Sequence, residues 1–325
     1  MKFTLALPGQ NLYPGHDMHW FSKITGKEIL SIAKIADDLG FDYLRVGEHV
    51  AMDREWAKIM GPRWLDCLTT LSFVAGVTNR IKIATSVLVL PYHQPIRLAK
   101  EISTLDYLSH GRLHITLGVG YMEWEYKMLK VPFVERGRIM DEYIDAMIEL
   151  WTQDNPTFHG NYVSFDNIVF EPKPLQKPYP TLWFGGYSKY AFNRVARLGN
   201  GCQPWGISRS EIPKMIGYIK NQEGFKANPR ELDFFSNLFE GQIDPHSHKV
   251  IEAPQVFLDK DYVLTQVQQL ANVGVTVTDV DSLLNWGEFG NAGAELLPPI
   301  NCLEEYIERL HWIGENILPQ GHRIT

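Results

Sequence analysis

The sequence predicts a (β/α)₈ barrel, the TIM-barrel fold, with insertion segments and a single domain over residues 1–325. Short apolar, β-branched segments alternate with segments of helical spacing along almost the whole chain. About eight such pairs suit a barrel of ~250 residues plus insertions. A doubly wound open sheet is the alternative, but that fold would place a G-x-G-x-x-G turn after the first strand, where this chain has Leu7-Pro8-Gly9-Gln10.

The N-terminal half carries four strand–helix pairs. Ile81–Val89 reads IKIATSVLV, a nearly unbroken apolar run that is typical of a strand buried on both faces of a parallel sheet. Gly40 and Gly111 follow two of the helices, where a left-handed C-cap is expected. The predicted strands are Phe3–Leu7, Phe41–Val46, Ile81–Val89 and Leu113–Leu117, and the predicted helices are Gly26–Leu39, Leu65–Val77, Ile96–Leu108 and Arg136–Trp151.

The C-terminal half continues the alternation after an interruption. Thr157–Phe170 reads TFHGNYVSFDNIVF and predicts a hairpin insertion near residues 156–172, with turn chemistry from Gly160-Asn161. The predicted strands that follow are Thr181–Phe184, Gly201–Pro204, Leu232–Asn237 and Val275–Val280, and the predicted helices are Tyr190–Leu198, Glu211–Asn221, Val263–Ala271 and Cys302–Ile317.

Composition narrows the class of partner. The formal net charge of −7 argues against nucleic acid or an anionic membrane as partner. The three cysteines, Cys67, Cys202 and Cys302, lie far apart without C-x-x-C spacing, which fits a reducing cytoplasm and neither a disulfide framework nor a zinc site. No segment approaches 18 uninterrupted apolar residues. We therefore expect a soluble cytoplasmic protein that acts on a small molecule.

Polar residues follow the second and third predicted strands. Gly47-Glu48-His49 comes directly after the second strand, where a histidine would point into a barrel mouth and could donate a hydrogen bond or move a proton near neutral pH. A loop histidine bonded to its neighbours is an equally good interpretation from position alone. Ala84-Thr85-Ser86-Val87 ends an otherwise apolar strand, which suggests that something packs against the backbone there.

Glycines follow two further strands. Gly118-Val119-Gly120 would allow a flat ligand to approach the backbone, and Glu125 follows on a segment whose aromatic residues more often indicate core packing than a cofactor site. Phe184-Gly185-Gly186-Tyr187-Ser188 joins a strand to a serine N-cap, and backbone N–H groups at such a helix start bind phosphate readily. An ordinary βα turn is the alternative. Together these segments favour a flat cofactor that carries phosphate.

The same segments carry a family resemblance. GFDYLRVGEH at 40–49, TSVLVLPYHQPIRLAKEISTLDYLSHGR at 85–112, LGVGYMEWEYKMLKVPFVERG at 117–137 and PTLWFGGYSKYAFNRVARLGNG at 180–201 together resemble the bacterial luciferase-like superfamily. The resemblance covers roughly residues 1 to 205, and it looks closest to the deazaflavin (coenzyme F420)-dependent oxidoreductases. It implies a TIM barrel with insertions and redox chemistry at a flavin or deazaflavin ring.

The resemblance also implies roles for individual residues. His49 matches the histidine beside the ring. If His49 is instead a structural loop residue, Glu48 or Glu125 is the candidate proton donor, which does not come from the resemblance. Ser86-Val87 matches the position of a non-prolyl cis peptide, and Gly185, Gly186 and Ser188 match the phosphate loop, which includes Tyr187. Val119 stands within the G-x-G segment, where flavin-mononucleotide members can carry an arginine. This difference favours F420 over FMN, and we also expect a homodimer.

Three alternative functions follow from other features. An FMN-dependent luciferase-like monooxygenase and a non-catalytic flavin-binding barrel come from the resemblance itself. A metal-dependent hydrolase would use His246-Ser247-His248, but no second cluster of ligands accompanies it. The loops at 50–64, 241–259 and 285–300 are aromatic and apolar, and they could form the wall of a pocket for a hydrophobic substrate or cover the barrel or a dimer partner. The residues concerned are Met52, Trp56, Met60, Trp64, Phe257, Trp286 and Phe289.

Overall fold

Eight parallel strands close into a barrel. The computed structural model describes residues 1–11, 19–243, 250–252, 255–284 and 297–325. Each barrel strand pairs with its two neighbours in chain order, and β1 also pairs with β8, so that Phe3 lies opposite Thr278. The strands are β1 Lys2–Ala6, β2 Tyr43–Val46, β3 Lys82–Thr85 with its continuation Leu88–Val89, β4 Leu113–Gly118, β5 Thr181–Gly185, β6 Gly201–Gln203, β7 Asp233–Ser236 and β8 Val277–Asp279. The predicted fold is confirmed.

Helices form the outer layer. They are α1 Gly26–Leu39, α2 Ala57–Met60, α3 Cys67–Ala75, α4 Pro95–Leu108, α5 Glu123–Leu129, α6 Arg136–Thr152, α7 Lys189–Leu198, α8 Ile212–Lys220, α9 Glu223–Ala227, α10 Lys260–Asn272, α11 Leu303–Asn316 and α12 Leu318–Gly321. Short 3₁₀ turns occur at His19–Lys23, Leu90–Tyr92, Phe133–Glu135, Arg209–Glu211 and Asp281–Leu284. Within the described ranges, no helix is long and apolar enough to cross a membrane.

Side chains point alternately into and out of the barrel along each strand, and this divides the core into two parts. Phe3 and Leu5 point outward from β1 and are fully buried against the helices. Inside the barrel, a separate cluster of inward side chains fills the lumen, made of Tyr43, Ala84, Trp183, Phe235 and Val277. The lumen is therefore packed, and ligands must bind at a barrel end.

The predicted helix boundaries agree closely where capping signals are present. The Thr25 N–H donates to the Glu28 carboxylate at 2.9 Å and starts α1, and Gly40 ends it with a φ of 88°. The helix α5 was not predicted, because its aromatic residues have no clear periodicity over so short a segment.

The structure differs in detail from two predicted features, the third strand and the hairpin insertion. The strand predicted over Ile81–Val89 is interrupted at Ser86-Val87, where the peptide bond is cis, as the resemblance implied. The predicted hairpin insertion is present, with strands Phe158–His159 and Ser164–Phe165. Its turn does not use positive φ angles at Gly160 or Asn161. Instead, the Glu142 carboxylate accepts the N–H of Asn161 at 2.9 Å, and a side chain at position 160 would overlap that carboxylate.

Candidate active site at the carboxyl end of the barrel

The segments singled out in the sequence meet at one barrel end. A Cβ atom placed on Gly47, after β2, would lie 3.1 Å from the Ser86 carbonyl oxygen. Cβ atoms placed on Gly118 of β4 and Gly185 of β5 would each lie 2.7 Å from a methyl group of Val87. The strands are parallel, so these positions define the rim at their carboxyl ends, where barrel enzymes place their sites.

A buried histidine–carboxylate pair lies at this rim. His49 Nδ1 and Glu125 Oε2 are 3.0 Å apart, although the two residues are 76 positions apart in the sequence. The Glu125 side chain is fully buried and that of His49 is 10% exposed. The Glu125 carboxylate also accepts the Val50 N–H at 2.8 Å and the Tyr92 hydroxyl at 3.0 Å. Of the two glutamates considered as alternative proton donors, Glu125 is therefore the one in contact with His49.

The contact with Glu125 determines which nitrogen of the His49 imidazole carries the proton. An ionised carboxylate only accepts hydrogen bonds, so the proton of neutral His49 is placed on Nδ1. Nε2 then carries a lone pair, and it has no hydrogen-bond partner among the residues that the structure describes. The ring packs edge-on against Trp64 at a centroid distance of 4.4 Å and against Tyr121 at 6.2 Å. The arrangement can accept or donate a proton at Nε2.

Tyr92 completes the contacts of the pair and was missed in the sequence. Burial, together with the charge of Glu125, raises the pKa of the Tyr92 hydroxyl far above its ordinary value. The hydroxyl therefore stays protonated and remains a donor to Glu125. Its position after Pro91, at the exit of β3, was the available signal.

Glu48 turns away from His49. Its carboxylate accepts the Val89 N–H at 2.6 Å and lies 2.8 Å from His93 Nε2. Burial works to lower the pKa of His93, but the hydrogen bond and charge of Glu48 outweigh it and raise that pKa above its ordinary value. Glu48 thus ties the end of β3 to the segment before α4, and a direct role for it in proton transfer stays a prediction.

The rim glycines make room for valine side chains. Val87 occupies the space that side chains at Gly118 and Gly185 would need, and a Cβ atom on Gly120, whose φ is +64°, would lie 2.7 Å from Val89. Val119 packs against the core, and its carbonyl accepts the Tyr126 hydroxyl. These contacts give the glycines a structural reason, while close approach of a ligand stays a prediction.

The predicted phosphate loop leads into α7. Gly186 has a φ of +114°, and its N–H donates to the Gln203 carbonyl at 3.2 Å. The Ser188 hydroxyl caps the helix by accepting the Ala191 N–H at 3.3 Å. Both groups are thus engaged within the protein. The N–H groups of Tyr187 and Ser188 have no acceptor within the described part of the chain, so a phosphate could use them.

A polar network below the rim was also missed in the sequence. The Arg45 guanidinium pairs with Asp281, lies 3.7 Å from Asp279 and donates to Ser86 Oγ at 3.4 Å. Gln203 Nε2 donates to the same Ser86 oxygen at 2.8 Å. Arg45 and Gln203 lie at inward positions of β2 and β6, and a charged residue at such a position in a buried strand was the available signal.

Of the aromatic and apolar side chains predicted to form a pocket wall, Trp64 lies at the rim. Trp64 lies 3.6 Å from a Cβ atom placed on Gly47 and contacts His49. Met60 is buried, Met52 and Trp56 are half-buried, and Phe257 packs edge-on against Tyr262 at 5.0 Å. Trp286 and Phe289 lie outside the described residues, as does His246-Ser247-His248. Among the residues that are described, no three histidine, cysteine or acidic side chains come close enough to hold a metal ion.

Fold and rim together define a TIM-barrel protein with an acid–base pair in its mouth. The family model for luciferase-like monooxygenases matches residues 1–238. The chain belongs to the luciferase-like monooxygenase family.

Three known proteins illustrate the range of this similarity. Over 192 residues the chain is 29% identical to the FMNH₂-dependent dimethylsulfone monooxygenase of Pseudomonas putida, covering 58% of this chain and 51% of that protein. The chain therefore spans about half the length of that relative. A monooxygenase structure from Streptomyces bottropensis superposes with a TM-score of 0.74 at 18% identity, over 98% of this chain and 99% of the other. The coenzyme F420-dependent tetrahydromethanopterin reductase from Methanopyrus kandleri superposes with a TM-score of 0.67 at 14% identity, over 98% of both chains. At these identities the two superpositions show the fold alone.

Proposed function

We propose that the chain is an oxidoreductase that transfers a hydride between the deazaflavin coenzyme F420 and a small hydrophobic organic substrate. The observation that carries this proposal is the His49–Glu125 pair, 3.0 Å apart at the rim that also holds the Ser86-Val87 cis peptide. Hydride transfer to or from a carbon–oxygen or carbon–nitrogen bond needs a group that gives or takes a proton, and His49 Nε2 is available for that task.

The groups around the rim are suited to a flat ring with a phosphate-bearing chain. Ser86 and Val87 form a half-buried wall between Gly47 and Gly118. The unengaged N–H groups of Tyr187 and Ser188 at the start of α7 would hold a phosphate. When bound, the ring would supply the hydride chemistry that amino-acid side chains lack.

Residues of the chain would transfer the proton and exclude water. Glu125 holds the His49 ring in one orientation and keeps the proton on Nδ1, which leaves Nε2 to exchange a proton with the substrate. Trp64 and Tyr121 flank the His49 imidazole and would limit the access of water to it. Met52 and Trp56, half-buried residues of the segment after β2, would favour a hydrophobic substrate.

FMN is the second candidate cofactor, which would make the chain a luciferase-like monooxygenase. The name of the Pseudomonas putida relative supports this reading, since that enzyme is FMNH₂-dependent. Val119 supports F420 instead, because it supplies no cation for a phosphate within the G-x-G segment. A non-catalytic flavin-binding barrel remains the third possibility, and the buried acid–base pair argues against it.

Titration of the purified protein with oxidised F420 and, separately, with oxidised FMN tests the proposal. We expect saturable quenching of cofactor fluorescence with F420 and much weaker quenching with FMN. The opposite order would support the monooxygenase, and quenching by neither would overturn the proposal. Light scattering of the same sample tests the proposed homodimer, which requires twice the mass of one chain.

A further inference from the structure

Ser86 has a hydroxyl whose oxygen is surrounded by donors. Gln203 Nε2 lies 2.8 Å from Ser86 Oγ, and Arg45 Nη1 lies 3.4 Å from it. A guanidinium has no acceptor atom, and the NH₂ group of an amide only donates. Both lone pairs of the Ser86 oxygen are therefore occupied. Its own hydrogen donates to none of the residues described and must point in another direction.

The donors are themselves held in place. Arg45 Nε donates to Thr4 Oγ1 at 3.1 Å, and the far side of the guanidinium pairs with Asp281. Asp281 in turn accepts the Ala6 N–H at 3.0 Å. The guanidinium cannot turn to offer Ser86 anything but a donor, and its charge polarises the Ser86 O–H bond. Because Ser86 is half-buried in the rim, the free direction of its hydrogen is the barrel mouth.

We propose that Gln203 and Arg45 are positioning residues that commit the Ser86 hydroxyl to donate a hydrogen bond to an acceptor atom of the bound ring. Flavin and deazaflavin rings both carry carbonyl oxygens and an unprotonated ring nitrogen in their oxidised forms, so one hydroxyl serves either. This inference rests on the proposed function and extends it, since it assigns two residues below the rim to cofactor orientation. Neither residue has to touch the ring.

Gln203→Glu tests the inference with almost no change in shape. A carboxylate at position 203 would accept the Ser86 hydrogen, so the hydroxyl would turn away from the ring. We expect the dissociation constant for the oxidised cofactor to rise by about 2- to 10-fold, as for the loss of one neutral hydrogen bond. Ser86→Ala should give a similar rise, and Ser86→Cys a smaller one. The visible absorption band of the bound cofactor should shift alike in Gln203→Glu and Ser86→Ala. Gln268→Glu, on the exposed surface of α10, is the matched control and should change neither quantity.

The double variant Ser86→Ala/Gln203→Glu separates a positioning role from a direct one. If Gln203 acts through Ser86, the second substitution should add little to the first. Additive losses would overturn the inference, because Gln203 would then act on the ring directly or on the fold. Unchanged affinity and spectrum in Ser86→Ala, with a parent protein that binds cofactor, would also overturn it and leave the proposed function intact. A parent protein that binds neither F420 nor FMN would overturn both.

Discussion

Replacing Glu125 by glutamine should reverse the hydrogen bonding of His49. In the parent, Oε1 accepts the Val50 N–H at 2.8 Å, while Oε2 accepts from His49 Nδ1 and Tyr92, each at 3.0 Å. Glutamine has the same shape but only one acceptor oxygen. Two orientations of the amide are possible, and they do not cost the same.

The contacts of Val50 decide between the two orientations. If the amide oxygen faced His49, its NH₂ group would face the Val50 N–H, and a buried donor would lose its acceptor at a cost of about 1–3 kcal/mol. If the oxygen keeps Val50, the NH₂ group faces His49 Nδ1 and the Tyr92 oxygen, and both can accept. The Tyr92 hydroxyl can rotate its hydrogen away from the NH₂ group, whereas the Val50 N–H is fixed in the backbone. The second orientation is favoured. It forces the His49 proton from Nδ1 to Nε2.

The tautomer change would remove the lone pair at Nε2. A proton could then no longer be taken up there, and the carboxylate that stabilises a charged imidazole would be gone. Losses of general acid–base catalysis are typically 10²–10⁴-fold, and an Asp→Asn change beside a catalytic histidine in serine proteases falls at the upper end of that range. We expect turnover to fall by about 10²–10⁴-fold in Glu125→Gln, approaching the value for His49→Ala. Cofactor affinity should change much less, because the phosphate loop and the barrel wall supply most of it.

Nitrogen NMR of protein labelled at histidine would read the tautomer without any substrate. The resonances of His49, assigned by their loss in His49→Ala, should show a protonated Nδ1 in the parent and a protonated Nε2 in Glu125→Gln. Glu123→Gln is the matched control, since Glu123 lies exposed in the first turn of the same helix α5. A folded Glu125→Gln protein with the parent tautomer and the parent rate would refute the reasoning.

Three further predictions concern the rim and the barrel core. Gly118→Ala should destabilise the protein by about 1–3 kcal/mol in chemical denaturation, because the added Cβ would lie 2.7 Å from a methyl group of Val87. Gly217→Ala in helix α8 is the control and should not destabilise the protein, because nothing lies within 4 Å of the added Cβ. Valine cannot keep the φ of +114° at position 186, so Gly186→Val should turn the N–H groups of Tyr187 and Ser188 away from a phosphate. We expect cofactor binding to weaken by about 1–3 kcal/mol in a fluorescence titration, and equal affinity in a folded variant would identify the loop as an ordinary turn. Burial, with the charges of two lysines, lowers the pKa of the His114 imidazole well below its ordinary value. Below about pH 6.5 this imidazole is protonated in the unfolded chain but not in the folded one, so the free energy of unfolding falls as the pH falls. His114→Phe should reduce that fall by up to about 1.4 kcal/mol per pH unit, measured by denaturation between pH 7.5 and 5, whereas His311→Phe on the exposed face of α11 should leave it unchanged.

The barrel could be predicted because its elements have local signals. Helix α1 carries a capping residue, an apolar stripe and a C-terminal glycine, and its predicted and observed bounds are both Gly26–Leu39. The interruption of β3 had no comparable signal in composition. Thr85 and Ser86 are compatible with a continuous strand, and the cis peptide between Ser86 and Val87 was expected only from the family resemblance.

The rim glycines have a structural role that the sequence did not indicate. Gly118 was selected because glycine lets a ligand approach the backbone, and Gly185 because it lies in a loop that leads into a helix and could bind phosphate. In the structure, Val87 fills the space beside both of them. Their conformational requirement depends on a side chain from a neighbouring strand, which no reading of residues 117–120 or 184–188 alone can supply.

One further step of local reasoning could have distinguished Glu48 from Glu125 as the glutamate that contacts His49. Arg45 points into the barrel from β2, and side chains alternate along an extended segment. If the alternation continues past the end of the strand, Gly47 and His49 face the mouth and Glu48 faces the outer layer. Glu48 indeed contacts Val89 and His93. A residue next to a catalytic candidate in an extended segment is therefore a poor candidate for its partner. That Glu125 would be the partner could not be read locally, because the contact depends on how far α5 lies from β2 across the closed barrel.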